Sequence, residues 1–185
     1  MTRIVGGRAG GRRLVVPPGG TTRPTSDRTR EGLFNTLATL IDLTGARVAD
    51  LYAGSGAVGL EALSRGAAHV LLVDRDPGVV RVLRRNVEAL GLPGAEVVRS
   101  PVTRVVEVDP AEPYDVVFLD PPYALPDAEV DVVLRRLASG GWLAGGGVCV
   151  VERAARGAPV TWPDGIVALR ERRYGEGVLW YGNRS

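Results

Sequence analysis

After Gly45 the sequence alternates between short aliphatic runs and longer stretches with helical spacing, and this alternation leaves few architectures open. The runs at 48–52, 70–74, 96–99, 115–119 and 147–152 are dominated by Val, Leu and Ala, as strands buried on both faces are. Between them, 58–65, 77–90, a short stretch near 102–108 and 128–137 carry helical patterns. Pro77 suits the first position of a helix, where no N–H is needed. Buried strands separated by helices predict an α/β fold with a mostly parallel, doubly wound sheet. The tail differs. Segments 166–170 and 178–181, joined by "ERRYGEG", read as an antiparallel C-terminal hairpin closing the sheet edge.

At 185 residues the chain has the length of one such domain with a short appendage. Residues 1–24, rich in Gly, Arg and Pro, read as that appendage, an arm or small hairpin, and 25–185 as the domain. Thr25, Ser26 and Asp27 offer capping oxygens to a helix whose apolar positions Leu33, Phe34, Leu37, Leu40 and Ile41 run on to a stop at Gly45. All 23 basic residues are arginine, which a GC-rich coding sequence explains as well as function does. Their placement is more telling. Residues 1–30 hold seven arginines against one acid, Asp27, whereas the rest of the chain is net acidic. A basic arm on an acidic body predicts a polyanionic partner, and the planar fork of arginine suits phosphate oxygens. The arm is therefore expected to supply substrate affinity and to be removable, over residues 1–22, without loss of folding.

Several classes of protein are disfavoured. No apolar run approaches the ~20 residues that span a bilayer, and the N-terminus lacks a secretory h-region. The single cysteine, Cys149, lies in the apolar run "GVCVVE" and supports neither a disulfide framework nor a metal cluster. A cytoplasmic, membrane-free protein without a metal site fits these features. The one histidine, His69, precedes a strand and reads as a packing or surface residue.

"DLYAGSGAVGLEAL" (50–63) places Gly54-x-Gly56-x-x-Gly59 between the first strand and a helix. Glycines there allow a tight turn and close approach of a ligand to backbone, at the positive end of a helix. Asp74 ends the second strand, where an acid can bind ribose hydroxyls. This pattern alone fits NAD, flavin or S-adenosylmethionine. Asp50, beneath the loop, would repel a pyrophosphate but suits the cationic amino group of a methionine moiety.

The "FLDPPY" stretch (118–123) decides between these cofactors. Prolines end a strand abruptly, leaving Asp120, Pro121, Pro122 and Tyr123 as a rigid loop at its carboxyl end. An exocyclic amine on a nucleobase is a poor nucleophile because its lone pair is delocalised into the ring. The Asp120 carboxylate and Pro121 carbonyl can accept its hydrogens and aim that lone pair at an electrophilic methyl, while Tyr123 stacks on the base. Neither a metal nor a general-base histidine is required.

Together "DLYAGSGAVGLEALSRGA", "DPPY", the upstream "RPTSDRTREGLFN" (23–35), the basic "GGRAGGRRL" opening and the final "YGEGVLWY" resemble the RsmD family, bacterial guanine-N2 methyltransferases of small-subunit (16S) ribosomal RNA. The resemblance covers essentially the whole chain and implies a Rossmann-like class I methyltransferase fold using S-adenosyl-L-methionine. Carried over by position, it places Asp50, Tyr52, Gly54, Ser55, Gly56 and Asp74 around the cofactor. Ser100 or a backbone amide falls to the adenine side, since Arg99-Ser100-Pro101 stands where many methyltransferases have an acid. Asp120, Pro121, Pro122 and Tyr123 are implied to hold the guanine. Arg8, Arg12, Arg13, Arg23, Thr25, Asp27, Arg28, Arg30 and Asn35 are implied to contact RNA or border the site. The implied substrate is an assembling or assembled small subunit, met by a monomer. Two alternatives remain open on the residues alone: a DNA or tRNA amino-methyltransferase acting on adenine N6 or cytosine N4, and a non-catalytic RNA-binding protein with the same fold.

Overall fold

In the computed structural model, which describes residues 2–18 and 25–185, the alternation resolves into one seven-stranded sheet flanked by helices. The parallel part comprises β3 (Arg47–Leu51), β4 (His69–Asp74), β5 (Ala95–Arg99), β6 (Tyr114–Leu119) and β7 (Leu143–Ala154). Two antiparallel strands, β8 (Ile166–Tyr174) and β9 (Gly177–Arg184), complete it in the order β5-β4-β3-β6-β7-β9-β8. The second strand of the C-terminal hairpin thus lies beside β7, and the first forms the outer edge. A small two-stranded pair, β1 (Thr2–Arg3) with β2 (Arg13–Leu14), precedes the sheet.

Helices cover both faces. On one face α1 (Asp27–Leu37), α2 (Ala57–Ser64) and α3 (Pro77–Leu90) bury Leu33, Phe34, Leu60, Leu63 and Leu83 against β3, β4, β6, β7 and β9. On the other, α4 (Val102–Val105) and α5 (Asp127–Ser139) bury Val102, Val133, Leu134 and Leu137 with Trp142. Local chemistry sets the boundaries. Ser26 caps α1 by accepting from Thr29 N at 3.1 Å, and Asp76 caps α3 by accepting from Gly78 N and Val79 N at 2.7 and 2.9 Å. Gly91, at φ 62°, closes α3 in the left-handed conformation.

Three boundaries differ most from the sequence reading. Helix α1 stops at Leu37 rather than running to Ile41, because Thr39 and Leu40 turn back with N–H bonds to Thr36 O and Leu37 O. Leu40 and Ile41 still pack against the core from outside the helix. Strand β7 begins at Leu143, four residues early, and the hairpin turn shrinks to Gly175 and Glu176, so most of "ERRYGEG" is strand.

The described part of the N-terminal arm is fastened to the body. Ile4 and Leu14 are buried, and the Val5 and Gly6 N–H groups donate to the buried Glu61 carboxylate at 2.7 Å each. Ala9 N donates to Ser64 Oγ at 2.9 Å, and Val15 exchanges a pair of 2.9 Å bonds with the Asn86 amide. Gly7 passes so close to α2 that a Cβ would stand 2.0 Å from Ser64 O. Removing this segment would expose apolar core and strip Glu61 of two donors, so it is no detachable appendage. Among the described residues no helix is long and apolar enough to cross a membrane.

Candidate active site

Where β3 and β6 lie side by side, their following helices leave to opposite faces and a crevice opens at the carboxyl ends. A cavity of about 290 Å³ occupies it. Its walls come from the loop after β3, the ends of β4 and β5, the loop after β6, and Val16–Pro18 of the N-terminal segment.

The loop after β3 is built for close approach. Tyr52 adopts a φ of 68°, rare for a residue with a side chain, and Gly54 and Gly56 follow at 56° and 81°. At Gly56 a Cβ would meet Leu83 Cδ1 at 2.4 Å, and at Gly59 it would meet Leu72 Cδ2 at 2.5 Å, so those two glycines let α2 seat closely. Gly54 differs: among the described residues nothing lies within 4 Å of its Cβ position, and Gly54 lines the cavity. Ser55 also lines the cavity, while its carbonyl is held by Asn86 Nδ2 at 2.9 Å.

Two acids hold this loop. Asp74 Oδ2 accepts from Gly54 N at 3.1 Å, and its Oδ1 accepts from Asp76 N at 3.0 Å. Asp50, buried under the loop, accepts from Gly59 N at 2.9 Å. Burial pushes Asp50 up to about 7, the Gly59 N–H opposes that rise, and the Asp74 charge adds to it. Ser100 N bonds Asp74 O at 3.1 Å, which brings Ser100 to the same wall.

The loop after β6 faces this wall. Asp120 and Pro122 line the cavity, Pro121 is buried, and Tyr123 is 45% exposed. Thr25 Oγ1 donates to Asp120 Oδ2 at 3.1 Å and lies 3.4 Å from Glu152 Oε2. The Tyr123 hydroxyl donates to the same Glu152 carboxylate. Burial raises the proton affinity of Asp120 well above the carboxylate range, and the Glu152 charge raises it further against the Thr25 bond. Burial likewise raises Glu152, with Thr25 and Tyr123 opposing. The neighbouring Arg153 braces the loop: its guanidinium donates to Leu125 O at 2.9 Å and Asp127 Oδ1 at 2.7 Å.

Glu152 and Arg153 escaped the sequence reading. Their available signal was a charged pair ending the otherwise apolar "GVCVVER" run at the site end of the sheet. The basic residues divide. Arg30, expected at the RNA, is fully buried and cannot reach one. Its guanidinium instead bonds Asp27, Thr2 Oγ1, Thr25 O and Arg3 O, and pairs with Glu61 at 3.5 Å. Asp27 is likewise engaged by Arg3 and Arg30. Arg12 is exposed and donates to Leu90 O at 2.9 Å and to Ala89 O, capping the carboxyl end of α3. Arg8, Arg13, Arg28 and Asn35 are exposed. Arg23 lies outside the described residues.

The sheet order, the glycine loop under a carboxylate-walled cavity and the loop of Asp120 opposite it define a Rossmann-like class I methyltransferase fold. Across residues 2–183 the chain matches the family described as Conserved hypothetical protein 95, and it belongs to that family. It is 39% identical over 174 residues to the Escherichia coli ribosomal RNA small subunit methyltransferase D, covering 94% of this chain and 85% of that one. The solved structure of the Escherichia coli protein yhhF superposes with a TM-score of 0.84 at 37% identity, covering 99% and 97% of the two chains. The fold extends to the magnesium protoporphyrin IX methyltransferase of Synechocystis with bound SAM. That structure has a TM-score of 0.67 at 18% identity and covers 85% of this chain and 79% of that one.

Proposed function

We propose that this chain transfers a methyl group from S-adenosylmethionine to the exocyclic N2 amine of a guanine in small-subunit (16S) ribosomal RNA. The observation that carries the reading is that Asp120 lines the same cavity as the Gly54–Ser55 loop and Asp74, with Asp120 following β6 and Asp74 ending β4, the two strands that flank β3. An amine held by Asp120 therefore faces a ligand held by that loop. The name of the Escherichia coli relative supports ribosomal RNA as the substrate.

The donor set fits the cofactor. Asp50 and Asp74 offer negative charge to a cationic, hydroxyl-bearing ligand, Gly54 leaves open space above its backbone among the described residues, and Tyr52, Ser55 and Ser100 complete the cradle, while Gly56 faces Leu83 and Leu60 and only shapes the turn. When bound, S-adenosylmethionine supplies an electrophilic methyl on a sulfonium. The chain's own residues do the rest. Asp120 and the Pro121 carbonyl accept the two amine hydrogens, and Tyr123, oriented through Glu152, covers the base face. Held in this way, the nitrogen would have its lone pair aimed at the methyl that the bound cofactor would supply. The proton released from nitrogen passes to Asp120, whose proton affinity is already raised by burial and by Glu152. The substrate on this reading is an assembling or assembled small subunit, met in the cytoplasm by one copy of the chain.

The test is incubation with methyl-labelled cofactor and small subunits lacking the modification, followed by nucleoside analysis. Label in N2-methylguanosine supports the reading. Label in N6-methyladenosine or N4-methylcytidine would replace it with another target, and no transfer would refute it.

A further inference from the structure

Strand β8 is an edge strand of nine residues, and all of them except Ile166 and Tyr174 are exposed. It carries Arg170 and Arg172 at alternate positions, so both point to one face of the sheet. Register identifies the face. Arg170 pairs with Tyr181 and Arg172 with Leu179, and both partners belong to the core beneath α1. Tyr174, two residues further on, packs against α1 so closely that a Cβ on Gly32 would stand 2.1 Å from its hydroxyl oxygen. Arg28 lies four residues before Gly32, on the same stripe of α1, and is exposed.

Register also locates this face relative to the site. Glu152 pairs with Leu179, which pairs with Arg172, so Arg172 stands level with Glu152 about two strand spacings, roughly 10 Å, away, and Asp120 follows the next strand beyond. At the other end of the strip, Thr25 touches Asp120 one turn before Arg28. Among the described residues, none of Arg28, Arg170 and Arg172 forms an ion pair. The nearby acids are few. Glu31 is on α1, Glu171 points to the opposite face beside Trp180, and Glu176 sits in the hairpin turn.

We infer that the face where β8 meets α1, with Arg28, Arg170 and Arg172, is the docking surface for the phosphodiester backbone of the substrate RNA next to the target base. This rests on the function proposed above and adds a surface that sequence reasoning had placed wholly on the N-terminal segment. Unpaired guanidinium groups on an exposed strip beside a site that takes a splayed base suit a polyanion, and backbone contacts position it without reading sequence. Charged side chains also guard edge strands against pairing with other chains, which is the competing explanation.

The test is binding and methylation of small subunits lacking the modification by R170Q/R172Q, with R84Q/R85Q on the exposed face of α3 as the charge-matched control. The account predicts that R170Q/R172Q weakens subunit affinity about tenfold or more and flattens the slope of log affinity against log salt by about 1.5, the loss of two phosphate contacts. Thermal midpoint, cofactor affinity and turnover at saturating subunits stay at wild-type values, and the control is unaffected. Unchanged affinity and slope in R170Q/R172Q would overturn the inference. So would an equal loss in the control, or aggregation of the variant with RNA affinity intact. A wild-type protein that neither binds nor methylates subunits would instead sink the proposed function.

Discussion

Thr25 Oγ1 donates to Asp120 Oδ2 at 3.1 Å, a contact between residues 95 apart in the sequence. It makes the segment ahead of α1 part of the reacting loop's wall, and the buried Arg30 fixes that segment by holding Thr25 O at 3.0 Å. Thr25→Val removes the only hydroxyl that bonds Asp120 among the described residues, while keeping the side-chain shape. Turnover should fall about tenfold or more, as expected for loss of a hydrogen bond to a charged group, with cofactor affinity little changed. Thr25→Ser should retain most activity. Steady-state kinetics beside calorimetry checks both.

The pairing of Asp120 with Glu152 governs pH dependence. On the proposed mechanism Asp120 must be ionised to take up the proton that the amine releases, and burial followed by Glu152 repulsion raises the pH at which it ionises; Asp50 adds to the rise, while Thr25 and Arg153 oppose it. Glu152→Gln removes the nearest like charge, so the Asp120 proton affinity falls. The acid limb of kcat/KM against pH should move to lower pH. An unchanged limb, or one moved upward, would mean that the two carboxyls do not interact in this way.

Asp50 links binding to stability. Unfolded, it loses its proton near 3.8; folded, it keeps that proton up to about 7. Between those values the folded state binds more protons, so stability falls as pH rises. From pH 5 to 8 this group alone costs about 3 kcal/mol, two pH units at roughly 1.4 kcal/mol each. Asp50→Asn, whose amide oxygen can still accept from Gly59 N, should remove that loss in urea unfolding without cofactor. The same change should weaken S-adenosylmethionine binding.

Much of this was legible from residue patterns. Helix α3 spans Pro77–Leu90 as its proline and apolar spacing indicate, and β3, β4 and β6 start and end within one residue of the expected runs, because burial on both faces leaves an unmistakable apolar signature. The end of α1 was hidden because Leu40 and Ile41 keep helical spacing and reach the core without being helical. Strand β8 was partly hidden because an exposed, arginine-rich edge strand has no apolar alternation. Glu152 reaches Asp120 only through the β6–β7 register, in which Leu119 pairs with Val151, and no single sequence states that pairing. Arg30 reads as a surface cation until the fold brings Glu61 and Asp27 to it.

The N-terminal hairpin gives a stability prediction opposite to the expectation for a loose arm. Ile4 is fully buried against the core, so Ile4→Ala should destabilise the fold by about 2–4 kcal/mol, as cavity-forming substitutions do. Arg8→Gln, at an exposed position of the same segment, should be nearly neutral to stability. Urea denaturation of both variants distinguishes a docked hairpin from a solvated tail.

The central claim is that Asp120 aims the guanine amine at a methyl group held across the cavity. Single-turnover methyl transfer to small subunits by Asp120→Ala, read beside calorimetric S-adenosylmethionine affinity, tests it most directly. Transfer should slow by about 10²–10⁴-fold, the range for a group that takes up the transferred proton. Cofactor affinity should stay near wild type, and Asp120→Asn should retain intermediate activity because its amide oxygen still accepts a hydrogen bond. Near-normal transfer by the alanine variant, or loss of transfer and cofactor binding in equal measure, would contradict the account.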